Sequence, residues 1–410
     1  MISSRATAFK AIAVSVPQSS GGQRLQVAAF FRKRLYAGVI DPEGEPRIAR
    51  LLRYYPGAER WEVVLETPVA TPDGSPRRGQ PPFPLELGWR AAAAGPGERS
   101  GETLCLSLLC ARRPRLLYSG DGEGFEMSPD RGDARPFGPL HAFRGWLFAA
   151  AAGAMSDGIA ENPEGGATLH VCRDPRAGDW TLANAPGCGD PHNQTIHGFQ
   201  VFDGWLYASV GNPFAGFQLW RTQAQGEPPF VWEQALDQGA RRYTLNSAAP
   251  AMTVFRDALY IGTGVPPTER LLDEAAGCEL IRVLPDGHWE LVMGQPRFSP
   301  IGLQVPVSTH GPGFDDPAQT TLTCLASSGD ALYAVTLARE PETVSGFQLW
   351  QTADGERWRP IMTPADEGSA VCLPRALIAL PKFLLVGGDQ SANQPHARRE
   401  AFIWFGKTEV

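Results

Sequence analysis

The chain has 410 residues and a formal charge of −7, with 45 Gly, 37 Pro and only 7 His. Hydrophobic residues make up 43% and charged residues 20%, enough apolar material to bury a large core, so a disordered chain is excluded. The acidic balance lacks the clustered Lys/Arg face that nucleic acid requires, and Arg112-Arg113 and Arg398-Arg399 read as solvated turns.

No apolar run approaches the roughly 18 residues of a spanning helix. The run Ala11 to Val16 is too short for the apolar part of a signal peptide. An odd count of 7 Cys without C-x-x-C spacing argues against a disulfide framework or a structural zinc site. Buried free thiols in a reducing compartment follow, so the expected location is cytoplasmic, with no nucleic-acid or membrane partner.

In chain order, residues 8–16 alternate as a strand. A motif then recurs: an apolar strand, a tight turn, Leu-Tyr, small residues with Gly, a variable loop, and a second apolar strand followed by Trp. The first copy (18–68) has Arg34-Leu35-Tyr36-Ala37-Gly38, Leu51-Leu52-Arg53 and Trp61. The second (85–128) has Gly88-Trp89-Arg90-Ala91 and Leu116-Leu117-Tyr118-Ser119-Gly120-Asp121-Gly122. The third (138–186) has Gly145-Trp146-Leu147-Phe148, Leu169-His170 and Trp180. In the fourth (193–240), Asp203-Gly204-Trp205-Leu206-Tyr207 precedes Phe217-Gln218-Leu219-Trp220-Arg221-Thr222 and Trp232. The fifth (246–294) carries Ala258-Leu259-Tyr260-Ile261-Gly262, then Leu280-Ile281-Arg282 and Trp289. In the sixth (320–364), Ala331-Leu332-Tyr333 precedes Phe347-Gln348-Leu349-Trp350-Gln351-Thr352 and Trp358; the seventh (369–410) has Leu384-Leu385-Val386-Gly387-Gly388 and Ile403-Trp404.

Four short apolar segments per copy are the content of one four-stranded propeller blade, and a single blade cannot bury both of its faces. The fold expected is therefore all-β: one domain over 1–410, a seven-bladed β-propeller of four-stranded antiparallel blades. The last copy ends near its third strand, so the N-terminal strand 8–16 is expected to supply the fourth and close the ring. Small residues after Leu-Tyr, such as Ala37-Gly38 and Gly262, let neighbouring sheets approach closely.

This repeat resembles a group of bacterial and archaeal seven-bladed β-propeller proteins whose blades read roughly F-x-G-x-L-Y-x-G-T, then E-x-W-R-T-x-D-G-x-x-W, then a G-F-G-D-x-x-N linker. The linker survives as Gly187-Cys188-Gly189-Asp190-Pro191-His192-Asn193 and, altered, as Gly313-Phe314-Asp315-Asp316. The turns at Asp121-Gly122 and Asp354-Gly355 are similar to the Asp-box of sialidase-like propellers, but the aromatic comes one residue early and no sialidase activity is carried over. The resemblance implies fold and leaves activity open.

Long, variable connections gather on one face, where binding function concentrates on a rigid scaffold. The residues nominated for catalysis there are His197, Arg375, Tyr243 and Asp316. Those nominated for ligand binding are His141, His192, Asn193, Asn246, Arg131 and His310. Imidazole suits a general base near neutral pH, guanidinium binds oxyanions and tyrosine donates a proton. Turn formation is the competing role for the Asp and Asn residues. His192 with His197 is an incomplete metal pair and the acidic loops lack a full Ca²⁺ motif, so no cofactor is assigned, with a bound Ca²⁺ or transition metal left open. No P-loop, G-x-S-x-G, H-E-x-x-H or dinucleotide motif stands in a supporting context. The function expected is a cofactor-independent acid–base enzyme for a small-molecule substrate (isomerase, cyclase, lyase or alkyl-transfer chemistry, of biosynthetic kind). The alternatives are a propeller scaffold with a protein partner on the long-loop face, or a metabolite- or sugar-binding protein.

Overall fold

A computed structural model describes residues 9–16, 22–41, 48–66, 86–96, 102–110, 115–129, 137–151, 155–156, 159–160, 166–265, 276–339, 344–362, 371–391 and 400–407. The protein is all-β, and its strands form four-stranded antiparallel sheets in a propeller-like arrangement. Sheet I holds Arg24–Phe31, Arg34–Ile40, Ala49–Tyr55 and Arg60–Glu66. Sheet II holds Glu86–Pro96, Glu102–Cys110, Arg115–Ser119 and Glu126–Met127. In sheet III the strands are Phe137–Phe143, Trp146–Ala151, Leu169–Cys172 and Thr181–Leu182. Sheet IV has Thr195–Phe202, Trp205–Gly211, Gln218–Thr222 and Glu233–Leu236. Sheet V (Ala248–Phe255, Ala258–Gly264, Leu280–Val283, Trp289–Met293) joins sheet VI (Gln319–Ser328, Ala331–Arg339, Val344–Thr352, Trp358–Met362) through the pair Gly264 and Thr321.

Sheet VII consists of Val371–Leu380, Phe383–Ser391 and Glu400–Lys407, with Phe9–Ala13 as its outer strand. Phe9 pairs with Gly406 and Ala13 with Phe402, so the last sheet takes its fourth strand from the beginning of the chain. The first strands of consecutive sheets are neighbours from sheet I through sheet VII, and the first strand of sheet VII neighbours that of sheet I.

The core lies between sheets. A Cβ on Gly38 would stand 2.6 Å from Val27 and 2.7 Å from Trp89 of the next sheet, and one on Gly387 would stand 2.6 Å from Leu25. The small residues after each Leu-Tyr are thus set by close sheet approach. Tryptophan N–H groups stitch the same interfaces: Trp89 Nε1 donates to Arg50 O at 3.0 Å, and Trp232 Nε1 to Ala183 O at 3.0 Å. Each bond satisfies a buried donor while the indole fills the gap.

The turns at Asp121 and Asp354 are self-contained. Asp354 Oδ1 accepts the N–H groups of Glu356 (2.9 Å) and Arg357 (2.8 Å), and Asp121 Oδ1 those of Glu123 (2.7 Å) and Gly124 (3.0 Å). These bonds hold both carboxyls below their usual range. Gly122 has φ +78°, and its carbonyl takes the Tyr36 hydroxyl of sheet I at 3.0 Å.

Candidate functional site

Every first strand carries at least one extra residue against its partner, and those of sheets II and VI carry two. The extra positions are Gln26 in sheet I, Leu87 and Arg90 in sheet II, one in the Gly138-Pro139 step in III, His197 in IV, one in the Ala249-Pro250 step in V, Thr320 and Thr323 in VI and Arg375 in VII. Bulges re-aim a side chain, and here they recur on the strands that meet at the centre.

A cavity of about 340 Å³ lies among these strands, within the range of small-molecule sites. Its polar lining is Gln26, Thr323 and Arg375, all bulge residues of the adjacent sheets VI, VII and I. Ala92, Phe199, Pro250, Ala251 and Met252 line it from sheets II, IV and V, and Leu325, Leu377 and Ile378 extend the apolar wall. The cavity is therefore amphipathic, with polarity confined to one arc.

Asp389 stands behind that arc and is only 2% exposed. Its Oδ1 accepts the Leu25 backbone N–H of sheet I, and its Oδ2 lies 3.3 Å from Arg24 Nε and 3.7 Å from Arg375 Nε. Burial pushes its carboxyl up to about 6, against the opposing pull of Arg375, the Leu25 N–H and Arg24. The repeat motif of the last copy stops at Gly388 and singles out neither Asp389 nor Gln26 and Thr323. No composition signal marks them, because the bulge that aims Gln26 and Thr323 is a relation of register.

His197 neighbours the cavity wall formed by Gly198 and Phe199, but its ring packs back on Gly211, where a Cβ would lie 2.5 Å from Nε2. Burial lowers its imidazole to about 4. His141 is half-buried, its imidazole also lowered by burial, with its ring 6.5 Å from that of Phe199. These two and Arg375 are the nominated residues gathered toward the centre.

The others are distributed differently. Tyr243 is 53% exposed and does not line the cavity. His192 is exposed, with its ring 4.7 Å from that of Phe214. Asn193 is fully buried in a linker staple: its amide donates to Gly187 O and Gln218 Oε1, each at 2.8 Å. Asn246 repeats that role, donating to Gly239 O (3.0 Å) and Glu279 Oε2 (2.8 Å). Asp316 accepts from Ala318 N (3.0 Å) and Gln319 Nε2 (3.1 Å) in the equivalent linker before sheet VI. For Asn193, Asn246 and Asp316 the bonding is that of backbone and linker satisfaction. Arg131 lies outside the described residues.

His310 forms a separate pair. Its Nδ1 is 2.6 Å from Asp315 Oδ2, and its ring meets Phe314 and Trp350 edge-on at 5.6 and 5.7 Å. Partial burial opposes ionisation of Asp315, but the bonds from His310 and Gly311 N–H hold its carboxyl below the usual range. Trp350 is in the third strand of sheet VI, so this pair sits between sheets V and VI and not on the central cavity. Among the described residues no three His, Cys, Asp or Glu side chains group as metal ligands, and no helix is long and apolar enough to cross a membrane.

No protein-family model and no curated protein sequence matches the chain. Solved structures do. A catalytically inactive histidine-to-alanine variant of virginiamycin B lyase from Staphylococcus aureus with quinupristin aligns at TM-score 0.54 and 9% identity, covering 97% of this chain and 99% of that one. A polysaccharide lyase aligns at TM-score 0.55 and 12% identity over 95% and 91% of the two chains. A prolyl endopeptidase aligns at TM-score 0.51 and 10% identity over 94% of this chain; the chain spans 50% of that enzyme's length. At such identity the likeness establishes a shared propeller-like fold, whose solved examples include lyases and hydrolases.

Proposed function

We propose that the chain is a seven-bladed propeller, closed by its N-terminal strand, that transforms a small molecule in the central cavity by acid–base and electrostatic chemistry. The observation that carries this reading is the convergence of Gln26, Thr323 and Arg375 on an otherwise apolar cavity of about 340 Å³, with buried Asp389 behind them. A buried carboxylate beside Arg375 fixes the guanidinium, which can then polarise a carbonyl or stabilise an oxyanion in a low-dielectric pocket. His197, held neutral at pH 7 by its burial, is the candidate base, one residue from the cavity wall at Gly198. Proton abstraction followed by elimination or isomerisation fits that set, and the lyases that share the fold favour this class over cyclisation or alkyl transfer. The buried thiols of Cys105 and Cys278 suit the cytosol.

A scaffold role is favoured by one other feature. The hairpin Arg297–Ser299 and Gly302–Gln304 exposes Phe298 (79%), Ile301 (57%) and Leu303 (56%), an apolar tip suited to a protein partner. The two readings are separated by incubating a small-molecule extract of the source cells with wild type, Arg375→Gln and His310→Asn and following conversion by mass spectrometry. The cavity reading expects conversion to be lost in Arg375→Gln alone. No conversion by wild type leaves the scaffold reading.

A further inference from the structure

We infer that the central cavity takes an amphipathic small-molecule carboxylate, its head group held by Arg375 and Gln26 and its apolar body laid against Phe199, Met252 and Ala92. The inference rests on the cavity being the functional site and adds the chemical class of its occupant.

The argument turns on which groups the polar arc offers. Arg375 has donors only. Gln26 is ambiguous until its partner is considered: its Oε1 lies 2.7 Å from the backbone nitrogen of Trp89. A peptide N–H can only donate, so the contacting atom of Gln26 is its oxygen, which fixes the amide and leaves its NH₂ as the free end. Thr323 directs its hydroxyl at Val335 O at 3.2 Å. The N–H donors of the arc therefore come from two neighbouring strands, Arg375 of sheet VII and Gln26 of sheet I. Two N–H donors, one of them cationic, call for a planar anion with two acceptor oxygens.

Phosphate and sulfate are disfavoured by the rest of the lining. Ala92, Phe199, Pro250, Ala251 and Met252 line the cavity outside the polar arc with no charged group, and Leu325, Leu377 and Ile378 continue that surface. A bare multivalent anion would leave this apolar surface unused and bring more charge than one guanidinium, already turned toward Asp389, balances. A carboxylate on a hydrocarbon or aromatic body satisfies both halves of the cavity.

The experiment is isothermal titration calorimetry of the whole chain at neutral pH with phenylbutyrate, phenylbutanamide and inorganic phosphate, on wild type, Arg375→Gln and Gln26→Leu. Each variant is first checked for an unchanged thermal melt; if Arg375→Gln fails to fold, Gln26→Leu carries the comparison. The expected result is phenylbutyrate binding at least ~tenfold tighter than the amide, with that preference lost in Arg375→Gln and reduced in Gln26→Leu. Equal or tighter binding of the amide, or binding of phosphate alone, overturns the ligand class and leaves the cavity standing as a site. Binding of none of the three overturns the ligand class and counts against the cavity reading as well.

Discussion

Asp389 holds Arg375 from the neighbouring strand of sheet VII, Oδ2 to Nε at 3.7 Å, and with its other oxygen takes the Leu25 N–H of sheet I. One carboxylate thereby orients the cation of the cavity and ties the last sheet to the first.

That double role has a pH signature. The Asp389 carboxyl is pushed up to about 6 from an ordinary 3.8. The unfolded chain therefore ionises first, and stability present below about pH 4 is lost as pH rises through 6, by roughly 3 kcal/mol. Thermal melts of wild type across this range are expected to show that fall, and Asp389→Asn to flatten it. An identical pH dependence in both proteins would contradict the assignment.

His197 makes the opposite prediction. Its imidazole is lowered to about 4, so its stability contribution is present above the unfolded value near 6.5 and lost as pH falls toward 4. Imidazole resonances followed by NMR are expected to place its midpoint near 4. Gly211→Ala puts a Cβ 2.5 Å from Nε2 and is expected to cost about 1–3 kcal/mol in chemical denaturation while raising that midpoint.

Sheet pairing at the chain ends gives a third test. The outer strand Phe9–Ala13 pairs along Glu400–Lys407, Val14 N donates to Ala401 O at 2.7 Å, and Trp61 Nε1 donates to Ala13 O at 3.1 Å. Deleting residues 1–17 would expose the edge of Glu400–Lys407 and empty the Val14 position in the core. Loss of the cooperative thermal transition is expected; an unchanged melting temperature would refute closure by this segment.

What the sequence disclosed follows from what repeats. Leu-Tyr, Gly and Trp recur because every sheet meets its neighbour in the same way, as Gly38 against Trp89 and Gly387 against Leu25 illustrate. The linker residues Asn193 and Asn246 also recur, and for the same reason they staple the fold: each bonds a glycine carbonyl six or seven positions upstream. Arg375 was legible through its chemistry, a guanidinium on the loop face suited to an oxyanion. Gln26 and Asp389 were not, since one is aimed by an extra residue in the register and the other acquires its environment from sheets at opposite ends of the chain. Tyr243 and His310 share the loop face by sequence, yet one is exposed and the other pairs with Asp315 away from the cavity.

The central claim is that the cavity among the first strands is where chemistry occurs. Ala92 lines it from sheet II, and Ala92→Phe would project a ring into it while leaving Arg375, Gln26 and Asp389 unsubstituted. Conversion of a small-molecule extract should then be measured by mass spectrometry for wild type and Ala92→Phe at matched thermal stability. The account predicts that conversion falls at least ~100-fold in Ala92→Phe; undiminished conversion would contradict it.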